Sequence, residues 1–221
     1  GARSLARRAK RPVELADLLA QVAPPDERPP ELARRIAVHE AGHAVVMQVL
    51  GVMDVLSVST IAQDSGGGRV TVASQGGMIS KSDMEDFVAF LLAGRCAEES
   101  VLGSPSTGAG GAPNSDLARA TRMVVATHAS LGMGESLIYR GDSEDPRGMV
   151  PMDFRLLQAI EADLQRLHAR AMSIIEEYRE AVEAVANALM RERFLSAERF
   201  KELFDLHPPG SNTIELDDRN G

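Results

Sequence analysis

Leu32, Ile36, His39, His43, Val46, Met47 and Leu50 recur at three- and four-residue steps, Val46 and Met47 both falling on the repeat from His43, and Gly51 supplies a stop. That spacing predicts one helix of about twenty residues beginning near Glu31. The next stretches, "VLSVSTIA" and "GGRVTVAS", alternate or run β-branched around Gly66, Gly67 and Gly68, which predicts a small hairpin or sheet edge. Helical period returns in "SKSDMEDFVAFLLAGRCAEESVLG", with Ser80 or Ser82 as the opening cap and Gly103 near the end. A loop rich in small residues, "GSPSTGAGGAPNS", leads to a further helix over "DLARATRMVVATHASLGM" that stops at Gly132. After the polar connector "RGDSEDPRG" the pattern predicts two long helices, about Pro151 to Glu180 and Ala181 to Arg193, and a short one from about Ser196 to Leu206. The expected fold class is mainly α, with one small β element.

Both ends depart from this pattern. Residues 1–30 predict a basic helical piece, a short helix from about Val13 to Val22, and a linker marked by Pro24, Pro25, Pro29 and Pro30. Each proline removes an amide donor and pushes its predecessor out of helical backbone. The chain therefore divides into that segment, a main domain over 31–206 and a loose, aperiodic tail over 207–221. With 221 residues there is enough chain for one sizeable core. A formal charge of -8 sets aside general binding to nucleic acid, since little on the surface would neutralise a row of phosphates. The cluster Arg3, Arg7, Arg8, Lys10 and Arg11 is expected to be a solvated helix face. Cys96 is the single cysteine, which excludes a disulfide framework or a multi-cysteine zinc site and fits a reducing compartment such as the cytoplasm. Its small, apolar neighbours suggest a buried core position. The longest apolar stretch, Ala44 to Leu56, is broken by Gln48, Gly51 and Asp54, so no membrane segment is expected.

The chemistry lies in "HEAGHAVV". Residues four apart on a helix share a face, so His39 and His43 can bring two ring nitrogens to one ion at about 2 Å. Glu40, one position round, can face a water beside that ion without being a ligand. This is the HExxH arrangement, in which Zn2+ is the Lewis acid and the glutamate takes a proton from water. The alternative is a partly buried helix whose histidines are only hydrogen-bonded. A catalytic zinc needs a third protein ligand, and the candidates are Glu98, Glu99, Asp116, His128, His168 and His207. Asp116 falls in a first helical turn, where free amides favour a carboxylate. Glu98 or Glu99, from mid-helix, suits an acid that orients a ligand imidazole. Spacing does not choose between them.

In order, "HEAGHAVV", "LLAGRCAEES", "STGA…NSDLARAT" and "LGMGESL", followed by long helices, resemble the peptidase domain of FtsH-type ATP-dependent zinc metalloproteases over about Ala33 to Leu206. The resemblance implies a helical metallopeptidase domain with a small sheet beside the active site. It implies zinc held by His39, His43 and Asp116, Glu40 as catalytic base, and substrate backbone paired along Gly68, Arg69, Val70, Thr71 and Val72. It also implies unfolded protein substrates fed by an AAA+ ATPase module of the same parent polypeptide, a homo-hexamer, and a domain facing the cytoplasm even where the parent is membrane-anchored. No GxxxxGK[ST] phosphate loop occurs in the sequence, and "GARSLARRAKRPVELADLL" is similar to the closing helices of that ATPase's lid. The chain is therefore expected to be a fragment of a longer protein, a naturally short homologue without the ATPase being the other reading.

Two departures from the family pattern stand out. The extra residues "GGAPN" between "STGA" and "SDL" require the loop leading to Asp116 to bulge, and Leu131 replaces a common tryptophan, which is taken as a packing change. A non-catalytic, ring-forming adaptor that kept the fold is the alternative function, and a zinc-storing site is another. Intact His39, Glu40, His43 and Asp116 weigh against the adaptor, since a degenerate copy is expected to lose one of them.

Overall fold

The computed structural model describes residues 2–8, 10–12, 26–61, 67–73, 80–141 and 154–210. The anticipated helix from Val13 to Val22, Ser74, most of the connector after Gly141 and residues 211–221 lie outside them. Backbone contacts group the chain into two units, Gly1–Ala33 and Arg34–Gly221. In the first, helix α1 spans Ala2–Arg8 and carries Arg7 and Arg8 in its last turn, where cations complement the negative end of the helix. Both are exposed, as is Arg3.

Helix α2 spans Pro30–Leu50, with proline at the first helical position, where its missing amide costs nothing. The sequence pattern suggests one apolar face, yet every residue from Ala37 to Met47 is buried. A helix covered all round needs small residues where neighbours approach, and Gly42 shows why. A Cβ there would lie 2.5 Å from the Ala97 Cβ and 2.7 Å from the Ala93 carbonyl oxygen. These two alanines belong to helix α3, Lys81–Leu102, so the two helices cross almost backbone to backbone. Of the two serines proposed to open α3, Ser80 does so. Its hydroxyl accepts from the Asp83 amide while the Asp83 carboxylate accepts from the Ser80 amide.

Helix α4, Asp116–Ala129, is capped by Ser115 and stops short of the expected Gly132, which instead sits in the following turn with φ 62°. Leu131, the tryptophan replacement, is half-exposed there. Helices α5, Phe154–Glu177, and α6, Arg179–Glu192, break at Tyr178, two to three residues before the anticipated junction. Helix α7, Ala197–Asp205, is capped by Ser196. The chain then turns through His207, and the Gly210 amide donates to the Glu177 carbonyl at 3.2 Å. Helix α3 is the hub, packing on α4 and α5. Cys96 lies fully buried on it, and burial pushes its thiol up to about 12, so it is an inert core residue.

Strands β1, Val55–Ser59, and β2, Arg69–Val72, form the expected antiparallel hairpin, with a bulge between Val55 and Ser57. A third strand, β3, Phe194–Ser196, pairs antiparallel with the other side of β1, giving the order β2-β1-β3. Three residues wedged between two helices are too few for alternation to be visible, which is why sequence patterning misses β3. Val58 and Leu195 face each other in the ladder and are fully buried. No described strand pairs with the far edge of β2. Among the described residues no helix is long and apolar enough to cross a membrane.

Candidate metal centre

His39 and His43 project from the buried middle of α2, and Asp116 from the first turn of α4. Their tips converge. The Nε2 atoms of the two rings are 3.1 Å apart, and Asp116 Oδ2 lies 3.3 Å from each. Four donors at about 2.0–2.1 Å around a tetrahedral ion stand about 3.3–3.4 Å from one another. The three atoms therefore have the separations of one face of such a site.

The far side of each ring explains why those nitrogens present lone pairs. His39 Nδ1 is 2.9 Å from Glu98 Oε1, and His43 Nδ1 is 2.8 Å from the Phe90 carbonyl oxygen. A carboxylate and a carbonyl only accept, so both Nδ1 atoms donate and both Nε2 atoms are left as acceptors. Three acceptors facing one another without a donor need a cation between them, either a proton or a metal. Helix α3 passes directly beside them. A Cβ on Gly94 would lie 2.5 Å from His39 Nε2 and 2.6 Å from His43 Nε2, filling the space that an ion requires.

Glu40 is 7% exposed, and its side chain rests on the backbone just ahead of β2, where a Cβ on Gly68 would come within 2.6 Å of its Cγ. Burial raises its pKa, with the two imidazoles opposing and Asp116 adding to the rise. For Asp116, burial acts upward, but hydrogen bonds with His39 and His43 dominate and hold it well below the usual carboxylate range. Glu98 is similarly held at about 2, against its burial, by His39, Arg35 and Ser106. Burial alone would lower His39, yet Asp116, Glu98 and Glu40 together raise it to about 9.

In the metal-free protein a proton thus occupies the contact between His39 and Asp116. Because the folded value of His39 lies above its ordinary 6.5, this contact stabilises the metal-free fold fully below about 6.5 and is lost as pH rises through about 9. A divalent cation must displace that proton. Binding below pH 9 is therefore expected to release about one proton, with affinity rising about tenfold per pH unit toward that value. Calorimetric titration in buffers of different ionisation enthalpy measures this, and a binding heat independent of buffer contradicts it.

The loop carrying the extra residues ahead of Asp116 is tied down. Ser106 caps a short 3-10 turn at Thr107–Ala109, and Gly111 turns the chain with φ 86°. The Ser115 hydroxyl then donates to the Ala112 carbonyl at 2.7 Å, and Arg122 donates to the Pro113 carbonyl at 2.7 Å. Asp116 enters its helix from a held loop.

The other candidates for third ligand are engaged elsewhere. Glu99 meets His168 at 3.0 Å, His128 meets Asp163 at 2.8 Å, and His207 is 4.0 Å from Glu180. Glu98 is the acid that orients an imidazole. Sequence reasoning passes over Gly94, although an isolated glycine inside a strong helical pattern signals a close approach. It also passes over the Phe90 carbonyl, for which no side chain could give a signal. Arg69, Val70, Thr71 and Val72 form β2, and Gly68 precedes it. Among the described residues His39, His43 and Asp116 are the cluster suited to holding a metal.

The sequence profile described as Peptidase family M41 matches residues 29–203. The chain is similar to the "ATP-dependent zinc metalloprotease FtsH" of Bacillus subtilis (strain 168), at 29% identity over 202 residues, covering 84% of this chain and 31% of that protein. It is similar to "ATP-dependent zinc metalloprotease FtsH 2" of Symbiobacterium thermophilum, at 36% over 165 residues, 71% of this chain and 27% of that one. The FtsH of Cupriavidus metallidurans is 31% identical over 228 residues, 92% and 34% of the two chains. The matched region thus spans about a third of these curated relatives.

Proposed function

Because this chain belongs to peptidase family M41, we propose that it is a zinc-dependent metalloendopeptidase domain of the HExxH type, with Zn2+ held by His39, His43 and Asp116. The observation that carries the reading is the triangle formed by His39 Nε2, His43 Nε2 and Asp116 Oδ2, whose separations are those of one face of a tetrahedral site. Zinc held there supplies a Lewis acid that lowers the pKa of water and polarises a peptide carbonyl.

The remaining steps belong to the chain's own side chains. Glu40 adjoins His39 on α2, and its raised pKa makes it a base that takes the proton of the attacking water and returns it to the leaving amine. Substrate lies extended along Gly68, Arg69, Val70, Thr71 and Val72, antiparallel to the edge of β2 that no described strand occupies, and Gly68, just ahead of that strand, abuts Glu40. Main-chain hydrogen bonds ignore side-chain identity, so sequence preference is weak and the substrates are unfolded polypeptides. The relatives are named ATP-dependent. We extend this to an AAA+ ATPase module of the parent polypeptide that delivers substrate, to a homo-hexameric ring and to a cytoplasmic site of action.

Metal analysis and casein cleavage on the wild type and on Asp116→Ala test the proposal. The wild type is expected to hold one zinc per chain and to cut casein slowly. Losing a ligand should weaken zinc by more than about a hundredfold, beyond the loss typical of removing an outer partner, and end cleavage. An Asp116→Ala protein that keeps wild-type zinc affinity refutes the ligand set; a wild type that takes up no zinc refutes the whole reading.

A further inference from the structure

Glu98 is 1% exposed, and three donors share its carboxylate. Oε1 takes His39 Nδ1 at 2.9 Å and the Ser106 hydroxyl at 3.1 Å, while Oε2 takes Arg35 Nη1 at 2.7 Å. The same Arg35 nitrogen donates to the Ser104 carbonyl at 2.8 Å. Arg35 lies one helical turn before His39 on α2, and Ser104 and Ser106 open the loop that ends at Asp116.

We propose that Arg35 is a positioning residue for the metal centre, fixing the His39 ring through Glu98 and tying that carboxylate to the loop that delivers Asp116. The inference rests on the zinc-site reading above. A carboxylate turns about its last bond, so which oxygen faces His39 depends on what holds the other. Arg35 occupies Oε2 and leaves Oε1 for the imidazole. Without the guanidinium, a buried carboxylate loses its charged partner and is under-compensated. It then turns to recover hydrogen bonds, and His39 loses the acceptor that sets its ring plane and keeps its Nε2 lone pair directed at the ion. Two of the three ligands are affected by one side chain, because the Ser104–Ser106 segment shares the node. Lysine supplies the charge but cannot serve Oε2 and Ser104 with the same planar geometry.

The test compares wild type, Arg35→Met, Arg35→Lys and Ser106→Ala by chelator competition for zinc and by nitrogen-15 NMR of the His39 ring in the zinc-loaded protein. Arg35→Met is expected to weaken zinc about tenfold, the lower end for an outer partner, and to shift or exchange-broaden the His39 Nδ1–H signal. Arg35→Lys should recover part of both, and Ser106→Ala should shift the same signal with a smaller loss of affinity. A purely structural arginine would lower only the melting temperature. Zinc affinity within twofold of wild type and an unmoved Nδ1–H signal in Arg35→Met therefore overturn the inference. If that variant does not fold, an unmoved signal in both Arg35→Lys and Ser106→Ala overturns it equally. A wild type that binds no zinc defeats the underlying reading instead, which separates the two failures.

Discussion

Glu40→Gln is expected to keep one zinc per chain and to lose peptide hydrolysis by about a thousandfold, within the range that a positioned acid–base group contributes. Glutamine matches glutamate in shape, so the side chain still fills its 7% exposed place against Gly68. What disappears is the ability to accept a proton from water and hand it to the departing amine. The fold should tolerate the change, since an amide replaces a carboxylate whose pKa is already raised by burial and which is therefore costly to keep ionised there. Initial rates of casein degradation, read beside zinc content and melting temperature, measure the effect. Cleavage at more than about a tenth of the wild-type rate, well short of what losing a positioned base should cost, would remove Glu40 from the chemistry.

Gly94→Ala is expected to abolish zinc binding and activity together. Inside a helix this substitution ordinarily stabilises by about 1 kcal/mol, because alanine restricts the unfolded chain and favours helical backbone. Here the added methyl would stand 2.5 and 2.6 Å from the two Nε2 atoms, far inside contact distance. Since α3 is held by its crossing with α2, the imidazoles must yield, which strains the Nδ1 bonds to Glu98 and to the Phe90 carbonyl. Zinc affinity should fall by more than about a hundredfold, more than loss of an outer partner costs, while the metal-free protein keeps its helical circular dichroism. An alanine variant that binds zinc like the wild type would show that the ion does not sit between α2 and α3.

The helical framework is legible in the sequence wherever an element makes its own case. Ser80 and Ser82 announce the start of α3 without choosing between them, and the β-branched runs of β1 and β2 announce a hairpin. Errors fall where neighbours override local pattern. The burial of α2 on all sides, the strand at Phe194–Ser196 and the early break at Tyr178 each depend on packing partners far away in the chain.

The candidate site divides along the same line. His39 and His43 are paired by the helix itself, because a four-residue step returns to the same face whatever surrounds it, and Glu40 follows as the next position round. Sequence alone settled that much. Glu98, Glu99 and Asp116 are locally equivalent as acids on helices, and nothing in their spacing says which one meets the imidazoles. The tertiary structure decided it: the glycine-to-alanine crossing of α2 on α3 sets Glu98 behind the His39 ring, and the tethered loop before Ser115 swings Asp116 in front. A periodicity is a property of one segment, whereas the convergence of three atoms is a property of how separate segments pack.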